Sequence, residues 1–186
     1  MTGSMAAEAA PGLRAIYDEH FDFVWRSLRR LGLHEDDIPD AVQDVFLIVH
    51  RKLATFRGES KMTTWLFGIS MRVAADRRRR AHVRREVVTD TLPEQADPNS
   101  DVMKDVAARE GAALLEEILE EMSPKQRTVF VLFELHGVPC EEISTLMGVP
   151  LGTVYSRLRL ARECFRRSID RRQAGERFHL REVGAT

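Results

Sequence analysis

Asp40 and Asp44 stand four residues apart in a stretch of helical pattern, which sets both carboxylates on one helix face. Paired carboxylates can hold a divalent cation for phosphodiester chemistry. No histidine or lysine joins them at helical spacing, so the pair lacks the partners of a hydrolytic site. His136-x3-Cys140 is the nearest approach to a metal-binding spacing, and no second pair completes a set of four ligands. These two read as a turn histidine and a small buried thiol. Catalytic residues, a metal and a cofactor are therefore not expected.

The arginines point to a different chemistry. Residues 51–85 carry 11 basic groups against 2 acidic, a local charge of +9. Residues 86–123 reverse this with 2 against 11, or −9, and residues 150–181 return to +6 with 9 against 3. The 186-residue chain as a whole has 28 Lys+Arg and 29 Asp+Glu, a net charge of −1 that conceals the pattern. Two guanidinium-rich blocks separated by an acidic one form a phosphate footprint.

The second basic block has the finer design. Pro139 to Arg167 reads as a short helix, a turn bounded by Gly148 and Gly152, and a longer helix. This is the outline of a helix-turn-helix, whose second helix enters the major groove. Val154, Leu158, Ala161 and Phe165 form its apolar face, and Tyr155, Ser156, Arg159, Arg162 and Arg166 lie opposite. Ser156 and Arg159 fall in the N-terminal half, within reach of base edges. A bidentate Arg–guanine pair is worth about 1–3 kcal/mol of discrimination. The later arginines are placed for phosphates.

The elements that position these residues are helices. Leu13, Ile16, Tyr17, Phe21, Val24, Leu28 and Leu31 recur at three- and four-residue steps, with Gly32 as a stop. A second helix starts at Asp36-Asp37 with Pro39 in its first turn and breaks at Gly58-Glu59-Ser60. A third runs from Met62 to Arg85 with Met62, Leu66, Ile69 and Val73 buried. Residues 86–106 lose the periodicity and read as a flexible acidic linker. Helical pattern resumes, and Ser123-Pro124-Lys125-Gln126 is a capping box with Pro at the first helical position. The helix it opens ends at Gly137. After Val149-Pro150-Leu151-Gly152, Thr153 is placed to cap a helix running to about Arg171. The fold class is all-α, with two small helical domains over 11–85 and 107–172 and a tail over 173–186.

No apolar run approaches the roughly 20 residues that span a bilayer, so no membrane insertion is expected. The N-terminus has no secretory pattern, and two cysteines without C-x-x-C spacing suit a reducing, cytoplasmic compartment.

Two separated motifs resemble the bacterial RNA polymerase sigma factors of the extracytoplasmic-function class, in the sigma-70 family. Asp40-Ala-Val-Gln-Asp-Val-Phe-Leu-Ile-Val-His50, Phe56-Arg-Gly and Thr64-Trp-Leu-Phe-Gly-Ile-Ser70 are similar to the family's region 2. Leu119-x-x-Met-Ser-Pro-Lys-Gln-Arg127, Glu141-Glu-Ile and Gly152-Thr-Val-Tyr-Ser-Arg-Leu158 are similar to its region 4.

The resemblance implies a subunit that directs core polymerase to promoters and has no enzymatic step of its own. It implies docking of Asp40, Gln43, Asp44, Leu47 and Arg51 on the largest subunit's coiled coil, with the flap as a second polymerase contact. For the −10 element it implies capture of an unpaired base and strand by Arg57, Gly58, Ser60, Lys61, Thr64, Trp65, Arg72, Arg77, Arg78, Arg79 and Arg80. Trp65 lies beside the core stripe, which favours packing over base stacking. For the −35 duplex it implies Thr153, Tyr155, Ser156, Arg157, Arg159, Arg162 and Arg166. The family commonly has an anti-sigma partner. Tyr155 and Leu160 depart from the family's usual basic residues, with Arg159 one place early, so the −35 sequence read is open.

Overall fold

The computed structural model describes residues 12–85 and 105–183, with side chains over 12–81 and 110–174. Among the described residues every regular element is helical. None of these helices is long and apolar enough to cross a membrane.

Helix α1 spans Leu13–Arg30 and ends where Gly32 takes φ +83°. Arg29 and Arg30 occupy its last turn, where cations oppose the negative end of the helix dipole. A 3₁₀ turn at Glu35–Asp37 leads into α2, Ile38–Lys52, with Pro39 in the first turn as its missing N–H allows. A second 3₁₀ turn, Leu53–Thr55, and a loop lead into α3, Met62–Arg85. The three helices pack on one another around Val24, Leu28, Ile38, Val45, Val49, Leu66 and Phe67, all essentially without solvent exposure. Each such side chain contributes about 1.5–3 kcal/mol of burial, enough to hold a small three-helix core.

The second half begins with α4, Asp105–Glu120. The segment expected as a linker, 86–106, thus falls outside the described residues up to 104, and its last two residues open this helix. Helix α5, Pro124–Phe130, starts at the expected capping box, with the Ser123 N–H donating to Gln126 Oε1 at 3.2 Å. A short helix α6, Cys140–Met147, ends at Gly148 with φ +62°. Helix α7 spans Leu151–Val183 and packs along α5.

Three local readings change. The helix after the capping box does not run evenly to Gly137: Val131–Leu135 widens into a π turn, with His136 N–H donating to Val131 O at 3.1 Å. Thr153 is not the cap of α7. Its own N–H donates to Pro150 O at 2.8 Å, which puts it inside the first turn. Finally, α7 passes Arg171 and continues through most of the segment read as a tail. Gln, Ala, Glu and Arg around Gly175 are good helix formers, and one glycine costs only about 1 kcal/mol.

The halves also touch along one seam. The His136 ring sits between Phe23 of α1 and Phe67 of α3, with centroids 5.0 and 5.3 Å away. Leu146 of α6 rests on Gly68 of α3, and Arg127 of α5 lies over Gly32.

Candidate nucleic-acid interface

Helices α6 and α7 build a helix-turn-helix because Ile143, Val154, Leu158 and Ala161 are buried between them and the rest of the second half. Their burial turns the opposite face of α7 outward. Tyr155, Ser156, Arg159, Arg162 and Arg166 are exposed there, with Thr153 and Arg157 half-buried on its flanks. The side chains are braced rather than loose. Arg159 pairs with Glu163 at 2.6 Å, one turn along the same helix. Arg162 pairs with Glu134 of the π turn at 2.6 Å and lies 5.1 Å above the Phe133 ring. The Tyr155 hydroxyl donates to Glu141 at 3.4 Å, and that carboxylate raises the phenol's pKa, so the group remains a neutral donor. Further along, Ser168 and Arg171 both donate to Glu121, at 2.5 and 2.6 Å, and Arg172 donates to Glu117 at 2.7 Å. These bonds tie α7 to the last turn of α4 and the residue that follows it, and fix the angle at which α7 is presented.

The first half offers a different surface. Thr55, Phe56, Arg57, Glu59, Ser60 and Trp65 line a cleft of about 310 Å³. Gly58 makes its turn with φ +71°, and open space surrounds the position a Cβ would take, so conformation rather than crowding calls for glycine. Phe56 and Trp65 pack ring on ring at 4.9 Å. Trp65 therefore both packs and forms one wall of the cleft. Phe56 and Glu59 lie in the loop that the family resemblance assigns to this site, though neither was singled out there, and Thr55 lies just outside it. The aromatic immediately before Arg57-Gly58 was the available signal.

Thr64, expected in the same site, is buried at 5% exposure and offers a strand no surface. Lys61 and Arg72 are exposed. The four consecutive arginines do not form one track, because successive helical residues point about 100° apart. Arg77 donates through Nε and Nη2 to Asp44 Oδ2, at 3.0 and 2.6 Å, and its Nη1 lies 4.0 Å from Asp40. Arg78 turns inward and donates to the Leu31 carbonyl, and burial lowers its pKa. Arg79 and Arg80 both clasp Asp76 at 2.6 Å and stay well exposed.

The third surface is α2. Asp40, Gln43, Leu47 and Arg51 are exposed on it, whereas Asp44 is engaged by Arg77. Beside this stripe runs an apolar groove of about 560 Å³, lined in part by Tyr17, Phe21, Trp25, Phe46 and Leu47. Periodicity assigned Tyr17 to the core, yet it remains 39% exposed at the rim. A surplus of aromatics on α1 was the only hint.

Residues 16–84 match the family model for sigma-70 region 2, and residues 112–165 match that for sigma-70 region 4. The chain is 35% identical over 144 residues to the ECF RNA polymerase sigma-E factor of Haemophilus influenzae, covering 72% of this chain and 75% of that one. The chain belongs to the ECF sigma factors of the sigma-70 family.

Another relative, the RNA polymerase sigma-H factor of Pseudomonas aeruginosa, is 32% identical over 139 residues, 70% of this chain and 72% of that protein. Two solved structures share the sigma-factor fold. The sigma factor RpoE from Bartonella quintana, solved with the anti-sigma factor NepR, matches at TM-score 0.60 and 21% identity over 83% of this chain and 96% of that one. CnrH, solved with the cytosolic domain of CnrY, matches at TM-score 0.58 and 21% identity over 85% of this chain and 87% of that one. The region 2 match covers α1 to α3 with the cleft and the groove, and the region 4 match covers the helix-turn-helix.

Proposed function

We propose that this ECF sigma factor brings core RNA polymerase to its promoters by a division of labour between the two halves. The exposed face of α7 reads the −35 duplex. Ser156 and Arg159 contact base edges, and Arg157, Arg162 and Arg166 contact phosphates. The cleft at Thr55–Trp65 takes an unpaired base of the −10 element, and Arg57, Lys61, Arg72, Arg79 and Arg80 follow the strand. The observation that carries this reading is the coexistence of a braced duplex-reading helix and a separate aromatic-walled cleft in one chain. Melting then needs no chemical step. Binding to the unpaired strand has only to exceed an unstacking cost of a few kcal/mol.

The α2 stripe of Asp40, Gln43, Leu47 and Arg51, with the groove beside it, docks on the coiled coil of the polymerase largest subunit, and the second half docks on the flap. Tethering on polymerase makes the two weak DNA contacts cooperative. An anti-sigma factor belongs to the same reading, as do a cytoplasmic location and the absence of any enzymatic activity. Run-off transcription with core polymerase tests it. Core plus this chain is expected to start transcripts from promoters selected out of a random library. Silence on every selected promoter, or tight duplex binding by the chain alone, overturns the proposal.

A further inference from the structure

Four large apolar side chains stand exposed among the described residues: Tyr17, Leu47, Tyr155 and Leu160. Tyr17 and Leu47 line the groove beside α2, and the Tyr155 hydroxyl is held by Glu141. Leu160 has no such place. It is 37% exposed and, unlike Leu151 and Phe165 on the same helix, does not pack against the core.

Its position on α7 is an outermost one. At about 100° per residue, Leu160 is turned roughly 200° from Leu158, which is buried. It therefore shares a row with Ser156, one turn earlier, and with Arg167, two turns on, both exposed. The Arg159–Glu163 pair runs beside that row. An apolar side chain thus stands in the middle of a polar, largely cationic face.

A helix lying in the major groove presses such a row onto base edges. Those edges carry hydrogen-bond donors and acceptors and one protruding apolar group, the C5 methyl of thymine. Leucine can neither donate nor accept. Against guanine, adenine or cytosine it would strip water from a polar edge and return no hydrogen bond, whereas against thymine it buries a methyl. Ser156 and Leu160 are about 6 Å apart along the helix axis at 1.5 Å per residue, which is about two base pairs at 3.4 Å each.

We propose that Leu160 reads a thymine of the −35 duplex through its C5 methyl, about two base pairs from the contact of Ser156. This inference rests on the duplex-reading role proposed for α7 and names what one position of that face recognises.

Uracil tests it, because it pairs as thymine does and lacks only the methyl. Core polymerase with the full-length chain transcribes a promoter taken from the random-library selection, on templates carrying uracil for one −35 thymine at a time, on either strand. One such replacement should lower run-off at limiting protein by about fourfold, as burial of a single methyl group predicts. Leu160→Ala should transcribe the thymine and uracil templates equally at that position. Leu160→Arg should move the base selected there to guanine. The side chain lies outside the core, so neither change should alter thermal unfolding.

A selected −35 element without an invariant thymine overturns the proposal, as does a wild-type chain indifferent to uracil at every −35 position. A uracil effect that persists in Leu160→Ala gives the methyl to another residue and overturns it as well. If Leu160→Ala weakens every promoter alike, whatever its methyls, the side chain serves polymerase and the proposal fails. Silence of the wild-type chain with core on every selected promoter strikes down the promoter-reading function itself, and this contact with it.

Discussion

Arg77 and Arg78 of α3 are held in the opposite way to Arg159 and Arg162 of α7. On α7, Arg159 and Arg162 are braced by carboxylates at the edge of an exposed face, so they already point outward. On α3, Arg77 is folded onto Asp44 and Arg78 onto a backbone carbonyl at the seam. A duplex exists before the protein arrives, and a rigid, preset face suits it. A single strand exists only after melting. The strand contacts proposed on α3 fall instead to residues that stay exposed, Arg79 and Arg80 among them.

The largest expected effect breaks one half and spares the other. Leu158→Asp buries a carboxylate in the core under α7, where Leu158 is 4% exposed. It should cost about 3–5 kcal/mol, enough to unfold the second half and abolish duplex reading. Urea unfolding should then show α1–α3 still melting as a unit. Joint loss of both halves would mean that the two arginine sets sit in one cooperative body.

A smaller effect sharpens the contrast within α7. Arg159→Ala should relax base choice at one −35 position by about 1–3 kcal/mol. Arg166→Ala should weaken all promoters alike and reduce the salt slope by about 0.9. Promoter-library selection at two salt concentrations checks both, and equal losses on every promoter from both changes would remove the distinction between base and phosphate contacts.

The smallest effect concerns the plug between the halves. His136 has a pKa of about 4 in the folded protein, below the ordinary 6.5, so the unfolded chain binds the extra proton between those values. Its contribution is complete above about pH 6.5 and is lost as pH falls toward 4, by at most about 1.4 kcal/mol per unit and less where water reaches the ring. Thermal unfolding between pH 7 and 5 should show a shallower acid decline in His136→Phe than in the wild-type chain. Parallel curves would show that the ring is not excluded from water.

The helices, their stops at Gly32, Gly137 and Gly148, and the capping box at Ser123 were legible because each rests on a local rule: periodicity, left-handed backbone or a reciprocal side-chain bond. The outward face of α7 was legible for the same reason. Thr64 was misjudged because its motif position says nothing about which way α3 is rolled against α1 and α2. Thr153 was misjudged because threonine is a good cap, yet Pro150 already accepts the first helical bond. The arginine run looked like one track because charge adds along a sequence, whereas a helix fans it out.

By itself, the sequence determined an all-α chain with a region 2 and a region 4 in order, and the alternation of charge that marks its two basic surfaces. These follow from interactions over a few residues and from motifs that recur across a family. Only the tertiary structure decided that Asp44 holds Arg77, that Phe56 and Trp65 wall a cleft, and that His136 plugs a seam between the halves. Each of those depends on packing between residues 9 to 113 positions apart, through the roll and crossing of helices that no local rule specifies.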